Sequence, residues 1–199
     1  AYTPDLAASL TNLAAFLSAV GERGDALVAA REAVRLRRAL AEASPQAYTP
    51  DLAASLTNLA AFLSEVGERG DALVAAREAV RLRRALAEAS PQAYTPDLAA
   101  SLTNLAAFLS EVGERNEALV AAREAVRLRR ALAEASPAAY TPDLAASLTN
   151  LAAFLSEVGE RNEALEAARE AVELYRALAE DSPAAYTPDL AASLTNLAN

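Results

Sequence analysis

The sequence predicts an all-α protein, a solenoid of antiparallel helix pairs that repeats every 46 residues. The stretch AYTPDLAASLTNLA begins at residue 1 and returns unchanged at residues 47, 93, 139 and 185 of the 199-residue chain. Between these copies, leucine and alanine recur at three- and four-residue spacing, which is typical of amphipathic helices. Hydrophobic residues make up 53% of the chain and aromatic residues only 5%, a composition that favours closely packed helices.

The period divides the chain into repeats, and we expect these to form one solenoid domain over residues 1–199. One helix pair cannot bury its apolar face alone, whereas the next identical pair offers a matching face, so each repeat should contact only its neighbours. The final stretch is predicted to be a half-repeat that serves as a C-terminal capping helix. The predicted bounds are 1–46, 47–92, 93–138 and 139–184 for the full repeats and 185–199 for the half-repeat.

The first helix of each repeat, helix A, is predicted over residues 4–20. Thr3 is suited to the N-cap, Pro4 to the first helical position, where its missing N–H costs nothing, and Asp5 to the positive end of the helix dipole. Gly21 is the expected residue just beyond the C-terminus. One apolar stripe runs along this helix, formed by Leu6, Leu10, Leu13, Ala14 and Leu17.

The second helix, helix B, follows after a very short turn, so the two helices should be antiparallel. Later repeats place Asn116 and Asn162 where the first has Gly24, and because glycine and asparagine both suit helix caps, this position is the predicted N-cap. Ser44 and Pro45 are predicted to end the helix, since a residue before proline is disfavoured in helical geometry. Its apolar positions are Ala26, Ala30, Ala33, Val34, Leu36 and Leu40.

The composition also bears on function. Cysteine and histidine are absent, which excludes disulfides, thiol chemistry and imidazole catalysis. We identify no nucleophile–base pair, metal-ligand set or phosphate-binding loop, so we predict no enzyme, no catalytic residue, no metal site and no cofactor. The net charge of -9 and the lack of stacking aromatics argue against nucleic-acid binding. No run approaches the roughly eighteen apolar residues of a membrane span, and we identify no secretory signal. We therefore predict a cytoplasmic protein with no membrane partner.

The run NLAAFLSAVGERGDALVAAREAVRL resembles the tetratricopeptide repeat. Leu13–Ala14 matches the large-small pair of that repeat, Leu17 its mid-helix large residue and Gly21 its turn glycine, while Ala26, Ala30 and Ala33 match its small helix-B positions. The ordinary repeat has about 34 residues. With its longer period, this chain is similar to the kinesin light chain-like class, and the segments TPDLAASLTNLA and AVRLRRALAEASP carry that likeness. The resemblance implies a right-handed superhelix that binds proteins or peptides.

The resemblance also implies a binding site, because helix A lines the concave groove in this family. The amides could pair with the backbone of an extended peptide, since each offers a donor and an acceptor. Alternatively, each asparagine pairs with a neighbouring repeat or with water and helps to set the stack. The groove residues implied for this chain are Asn12, Asn58, Asn104 and Asn150, with Thr57, Thr103, Ser64 and Ser110.

Three further features have structural interpretations. We interpret Tyr2 and Phe16 as packing residues, the tyrosine at the connection and the phenylalanine between neighbouring helices A. The arginine row Arg31, Arg35 and Arg38 on helix B is a candidate basic surface. An acidic row in the fourth repeat fits a solvated outer face, and it consists of Glu163, Glu166, Glu170 and Glu173.

These observations predict a non-enzymatic scaffold whose partner is a protein or an extended peptide. The alternative is an engineered or structural repeat array whose main property is its own stacking or end-to-end self-association. Sedimentation as a function of protein concentration separates a monomeric binder from an end-to-end assembler. Replacing Asn58, Asn104 and Asn150 by alanine separates the two roles of asparagine, because it should affect binding in one case and stability in the other.

Overall fold

A computed structural model describes residues 3–198 of the protein, with only the backbone described at residue 198. Ala1, Tyr2 and Asn199 lie outside the described residues, and with them the interpretation of Tyr2 and both ends of the predicted domain. The described part of the chain contains nine α-helices and no strand. Their bounds are α1 Thr3–Ala19, α2 Arg23–Ala43, α3 Pro45–Glu65, α4 Arg69–Ala89, α5 Pro91–Glu111, α6 Arg115–Ala135, α7 Pro137–Glu157, α8 Arg161–Asp181 and α9 Pro183–Ala198.

The helices fall into two compact units. Unit 1 comprises α1 to α5 and ends at Val112, and unit 2 comprises α6 to α9 and begins at Gly113. In each unit every helix packs against the next one along the chain. Odd-numbered helices are the helices A and even-numbered helices are the helices B. The predicted fold class, an all-α solenoid of helix pairs with a 46-residue repeat, is confirmed; the repeat bounds stay predictions.

The predicted start of helix A agrees within one residue with α1, described as Thr3–Ala19, but is wrong for the later repeats. In α3 the helix begins at Pro45 rather than at Pro50, and Ser44 is both the C-cap of α2 and the N-cap of α3. The backbone N–H of Tyr48 donates to the Ser44 carbonyl at 3.2 Å, so the chain is already helical before Thr49. Pro50 costs one hydrogen bond, to the carbonyl of the exposed Gln46, which solvent can satisfy. The same arrangement begins α5, α7 and α9.

The predicted N-cap of helix B is wrong as well. The N-cap of α2 is Glu22, whose carbonyl accepts the first helical hydrogen bond from the Ala26 N–H at 3.0 Å. Gly24 therefore lies inside the first turn, where a backbone N–H needs no partner in the helix. Glycine and asparagine are tolerated there because the position is exposed.

The predicted role of Gly21 is confirmed. Its φ of 86° lies in the left-handed region, which glycine adopts without a steric penalty. Its N–H donates to the Ser18 carbonyl at 3.0 Å, and the Glu22 N–H donates to the Leu17 carbonyl at 2.9 Å. This pair of bonds is the Schellman motif, which ends α1 and turns the chain back into α2.

The core of each unit consists of leucine and alanine. The largest fully buried side chains are Leu56, Leu102 and Leu109 in unit 1 and Leu148 and Leu155 in unit 2. Ala14, Ala26 and Ala33 are almost completely buried, and their small side chains let helices A and B approach closely. Larger residues at these positions would push the helices apart.

The interpretation of phenylalanine as a packing residue is wrong for the first repeat. Phe16 is 72% exposed, whereas its equivalent Phe62 is half-buried and contacts a narrow gap between α1 and α2. The two residues have the same neighbours in sequence. The difference arises because α3 packs on the first helix pair, while no described residue covers Phe16.

Candidate functional site

The exposed faces of helices A in unit 1 form a continuous surface, which we call the A surface. Its helices are joined near their C-terminal ends, where the Ser18 hydroxyl donates to Glu65 Oε2 and the Ser64 hydroxyl donates to Glu111 Oε2, each at 2.9 Å. These bonds hold α1 beside α3 and α3 beside α5. The A surface consists of Asn12, Ala15, Asn58, Ala61, Glu65, Asn104, Ala107 and Glu111.

The predicted asparagines are exposed. Asn12, Asn58 and Asn104 lie on the A surface of unit 1, and Asn150 lies on the exposed face of α7 in unit 2. Within the described part of the chain these four amides make no hydrogen bond. Each amide therefore presents its donor and acceptor to solvent or to a ligand.

The predicted threonines and serines are already engaged. The hydroxyl of Thr57 donates to the Ala53 carbonyl at 3.0 Å, and that of Thr103 donates to the Ala99 carbonyl at 3.1 Å. Such bonds to the preceding helical turn are common for threonine and leave its oxygen only partly available. Ser64 is bound to Glu111, and Ser110 is not free either.

The A surface is acidic. No arginine occurs in any described helix A, whereas each of α3 and α5 carries one aspartate and one glutamate. Glu65 and Glu111 accept hydrogen bonds from neutral hydroxyls, so their negative charge is not compensated. Asp51 differs, because its Oδ2 lies 3.1 Å from Nη1 of Arg37. The surface therefore favours neutral or basic groups in a ligand.

The arginine row on helices B is ion-paired in unit 1. Arg31 lies 2.5 Å from Glu68 and Arg38 lies 2.7 Å from Glu78, so both arginines join α2 to the next helix B. Arg35 pairs within its own helix with Glu32, and the hydrogen bond it donates lowers the pKa of that carboxyl group. Two members of the row, Arg31 and Arg38, thus hold neighbouring repeats together.

The acidic row of the fourth repeat pairs in a similar way. In unit 2, Glu163 lies 2.6 Å from Arg123, and Glu170 lies 2.5 Å from Arg130. Glu166 and Glu173 are exposed, in agreement with a solvated outer face.

A cleft of about 480 Å³ lies between the helices B of unit 1, α2 and α4. Leu56, Leu59 and Leu63 of α3 lie at its base, and the ion pair of Arg38 and Glu78 joins its two walls. The described residues contain no group of three potential metal ligands. No described helix has the length and hydropathy needed to cross a membrane.

Sequence reasoning missed the serine–glutamate bonds that hold the A surface together. A signal was present, because the only difference between the first two repeats is Ala19 against Glu65. The hydrogen bond from Ser18 explains this glutamate, since Ser18 lies in the preceding repeat. Partners so far apart in sequence cannot be paired before the register of the stack is known.

Comparison with known protein families agrees with the repeat architecture. The family model of the tetratricopeptide repeat matches residues 6–45, 52–91, 98–137 and 144–184. No curated protein matches the sequence.

Several solved structures resemble the protein at low sequence identity. BtubC from P. vanneervenii is 17% identical with a TM-score of 0.75, and the match covers 88% of this chain but only 65% of BtubC, less than two thirds of its length. A crystal structure of the nearly identical TPR-like repeats of a Podosopora anserina putative kinesin light chain is 22% identical with a TM-score of 0.74. The match covers 100% of this chain and 85% of that one. Aspartyl phosphate phosphatase F from Bacillus subtilis is 15% identical with a TM-score of 0.67, covering 86% and 40%. Identities this low support the fold alone.

Proposed function

Because the chain belongs to the tetratricopeptide repeat family, in which binding to protein partners is the general role, we propose that it is a non-enzymatic scaffold that binds an extended peptide segment of a partner protein. We place the site on the A surface of unit 1 and the scaffold in the cytoplasm. Partner binding needs no cofactor or metal.

The observation that carries this proposal is that the asparagine amides are exposed and make no hydrogen bond within the described residues. Asn12, Asn58 and Asn104 recur once per repeat, are exposed and make no hydrogen bond within the described residues. An asparagine needed only for stacking would be expected to bond to the neighbouring repeat, as Ser18 does to Glu65. The free amides instead suit a ligand that has donors and acceptors along its length, such as a peptide backbone.

The spacing of the amides also fits an extended chain. Helices A that lie side by side are separated by at least roughly one helix diameter, about 10 to 12 Å, and an extended peptide advances about 3.3 Å per residue. One amide would therefore meet about every third peptide residue. Ala61 and Ala107 flank the amides and leave room for a backbone to approach closely.

The charge of the A surface indicates which kind of peptide segment should bind. Glu65 and Glu111 are uncompensated and no arginine is present, so segments with neutral or basic side chains should bind better than acidic ones. No aromatic or arginine anchor lies on this surface, and such anchors dominate tight interfaces. We therefore expect micromolar rather than nanomolar affinity.

The test begins with peptides selected from a random library on the intact protein. The selected peptides are then titrated against a variant carrying Asn58→Ala and Asn104→Ala, with Asn116→Ala as the control. Asn116 is an exposed asparagine in the first turn of α6, a helix B of unit 2, and is not one of the A-surface residues.

We expect the double variant to weaken peptide binding at least tenfold while its thermal stability and that of the control stay close to wild type. Unchanged peptide binding in the double variant would contradict the proposed site. Loss of thermal stability in parallel with binding would instead support a role of asparagine in the stack.

A second candidate function is a repeat array that associates end to end. The observation in its favour is that the repeats are nearly identical, so the face by which one repeat packs on the next recurs along the chain. Sedimentation velocity over a range of protein concentrations tests it, because an array should form larger species as the concentration rises.

A further inference from the structure

The exposed face of helix A carries different residue types at fixed heights along the helix. Residues at three- and four-residue spacing share one helix face, so each helix presents a single stripe. The stripe of α3 consists of Asp51, Ala54, Asn58, Ala61 and Glu65, and that of α5 consists of Asp97, Ala100, Asn104, Ala107 and Glu111. Side by side in unit 1, the two stripes form an aspartate row, an asparagine row and a glutamate row, with alanines between them.

The two acidic rows differ in whether a cation compensates them. In the aspartate row, Asp51 Oδ2 lies 3.1 Å from Nη1 of Arg37. Arg83 donates from Nη1 to the Asp97 carbonyl at 3.2 Å, so its guanidinium lies beside that aspartate. In the glutamate row, the hydrogen-bond partners among the described residues are neutral serine hydroxyls. A cationic side chain on the A surface is therefore attracted mainly to the glutamate row.

The serine hydroxyls hold the two glutamates in place without neutralising them. Ser18 donates to Glu65 Oε2 and Ser64 donates to Glu111 Oε2, each at 2.9 Å. Because the two oxygens of a carboxylate accept about four hydrogen bonds together, each glutamate keeps acceptor capacity for a ligand. A side chain that is already held loses less conformational freedom when a ligand binds. The glutamate row therefore presents two oriented carboxylates, one on each helix.

A peptide backbone fits over the alanines between the asparagine row and the glutamate row. Ala61 lies three residues after Asn58 and four residues before Glu65, which is about 4.5 Å and about 6 Å along the helix axis. Because the alanine side chain is short, a backbone can approach the helix there and meet the asparagine amides on one edge. Side chains on its other edge then extend toward the glutamate row.

The distance between the helices sets the spacing of the side chains that reach both glutamates. Helices A that lie side by side are at least about 10 to 12 Å apart. In the polyproline II conformation, residues three positions apart lie on the same side and about 9 Å apart, and the backbone makes no internal hydrogen bonds. A β-strand offers same-side spacings of about 7 Å or about 13 Å, which match the helices less well.

From these contacts we propose that Glu65 and Glu111 each bind one basic side chain of the partner. The A surface thereby selects segments in which two lysine or arginine residues stand three positions apart. This inference rests on the proposed function, because it names the class of peptide that the same surface binds. Each ammonium or guanidinium group donates to the carboxylate oxygens that serine leaves open. Since both charges stay partly in water, each pair should contribute roughly two- to fivefold in affinity.

The test is a selection of peptides from a random library on three proteins: wild type, a variant carrying Glu65→Gln and Glu111→Gln, and the control Glu88→Gln. Glutamine keeps an oxygen that accepts the serine hydroxyl, so the bonds between neighbouring helices A remain while the charge is removed. Glu88 is an exposed glutamate on α4 and is not one of the A-surface residues.

We expect pairs of basic residues at three-residue spacing to be enriched on wild type and on the control, but not on the double glutamine variant. A selected peptide should bind the double variant about five- to twentyfold more weakly than wild type. Replacing its two basic residues by glutamine should weaken binding to wild type by the same factor and leave binding to the double variant unchanged. This pattern is specific to direct contact, because a purely structural role of the glutamates would weaken binding of both peptides.

Two results would overturn the inference, and they differ in what they leave of the proposed function. If the selected peptides lack the basic pair, or bind the double glutamine variant as tightly as wild type, while Asn58→Ala and Asn104→Ala still weaken binding, the proposed site stands and the role of the glutamates is wrong. If no peptide is selected on wild type, or the selected peptides bind the asparagine and glutamate variants as tightly as wild type, the proposed site itself is wrong.

Discussion

Arg129 in α6 donates a hydrogen bond from Nη1 to the backbone carbonyl of Asp143 at 3.0 Å and lies 3.1 Å from the Oδ2 atom of the same residue. The guanidinium is largely buried, and it joins helix B of the third repeat to helix A of the fourth. Arg37 makes the equivalent contact with Asp51 in unit 1, also at 3.1 Å. In the first and third repeats this arginine therefore helps to set how helix B meets the next helix A.

Replacing Asp143 by Asn should lower the free energy of unfolding by about 1 kcal/mol, because the buried guanidinium loses its carboxylate but keeps the backbone carbonyl. The cost is limited because the Asp143 side chain is 58% exposed. The control is Asp5→Asn, since Asp5 occupies the same repeat position in α1 and is exposed. Urea denaturation of both variants checks this; equal effects would mean that the arginine contact does not stabilise the stack.

Two glycines lie at the turn between α3 and α4, and replacing them by alanine should change the free energy of unfolding in opposite directions. Gly67 has a φ of 83°, so Gly67→Ala should lower the free energy of unfolding by about 1 to 2 kcal/mol. Gly70 lies in the first turn of α4, and the space that an alanine Cβ would occupy there is open. Gly70→Ala should therefore raise the free energy of unfolding by about 0.4 to 1 kcal/mol. Thermal and urea denaturation measure both; a stabilising Gly67→Ala would contradict the assigned turn.

Local signals predicted the helices but not their exact starts. The segments Ser44–Pro45 and Thr49–Pro50 both look like a helix start, and two prolines five residues apart cannot both occupy the first helical position. The helix begins at the earlier proline, so Tyr48 and Thr49 are helical and half-buried instead of part of a non-helical connection. That choice depends on packing against the neighbouring helices, which no local rule contains.

For the candidate site, the positions of the residues were predictable from the sequence, but the contacts between them were not. Capping residues and periodicity placed Asn58 and Asn104 on helix A, the family resemblance assigned them to the binding surface, and both are exposed in the structure. The bond between Ser64 and Glu111 was not predictable, because it joins residues of different repeats and depends on the register of the helices A. Periodicity identifies which positions are equivalent, whereas contacts between repeats require the packed structure.

Equivalent leucines should differ in their contribution to stability according to whether a preceding repeat covers them. Leu52→Ala should lower the free energy of unfolding by about 2 to 4 kcal/mol, since the side chain is 5% exposed. Leu6→Ala should cost less than about 1 kcal/mol, because Leu6 is 51% exposed and its removal leaves little cavity. Urea denaturation at low protein concentration compares them; similar costs would argue against nearest-neighbour stacking as the source of stability.

The stability of unit 2 should depend on pH through Tyr175, which replaces the joining arginine in the fourth repeat. Burial raises the pKa of the Tyr175 phenol above its ordinary value of 10.0, and Asp189, Asp143 and Tyr186 act in the same direction. The folded protein therefore favours the protonated phenol. The contribution of the protonated phenol to the stability of the fold is fully present below pH 10. It is lost as the pH rises from 10 through the pKa of the folded state.

The test is Tyr175→Phe, which keeps the buried ring and removes the ionisable group. We expect its free energy of unfolding to fall less than that of wild type between about pH 9 and pH 11, because the phenol of wild type must ionise more readily once unfolded. Urea denaturation across this range gives the difference, and the tyrosinate absorbance of the folded protein follows the ionisation itself. If both proteins lose the same free energy, the Tyr175 phenol is not held in its protonated form by the fold.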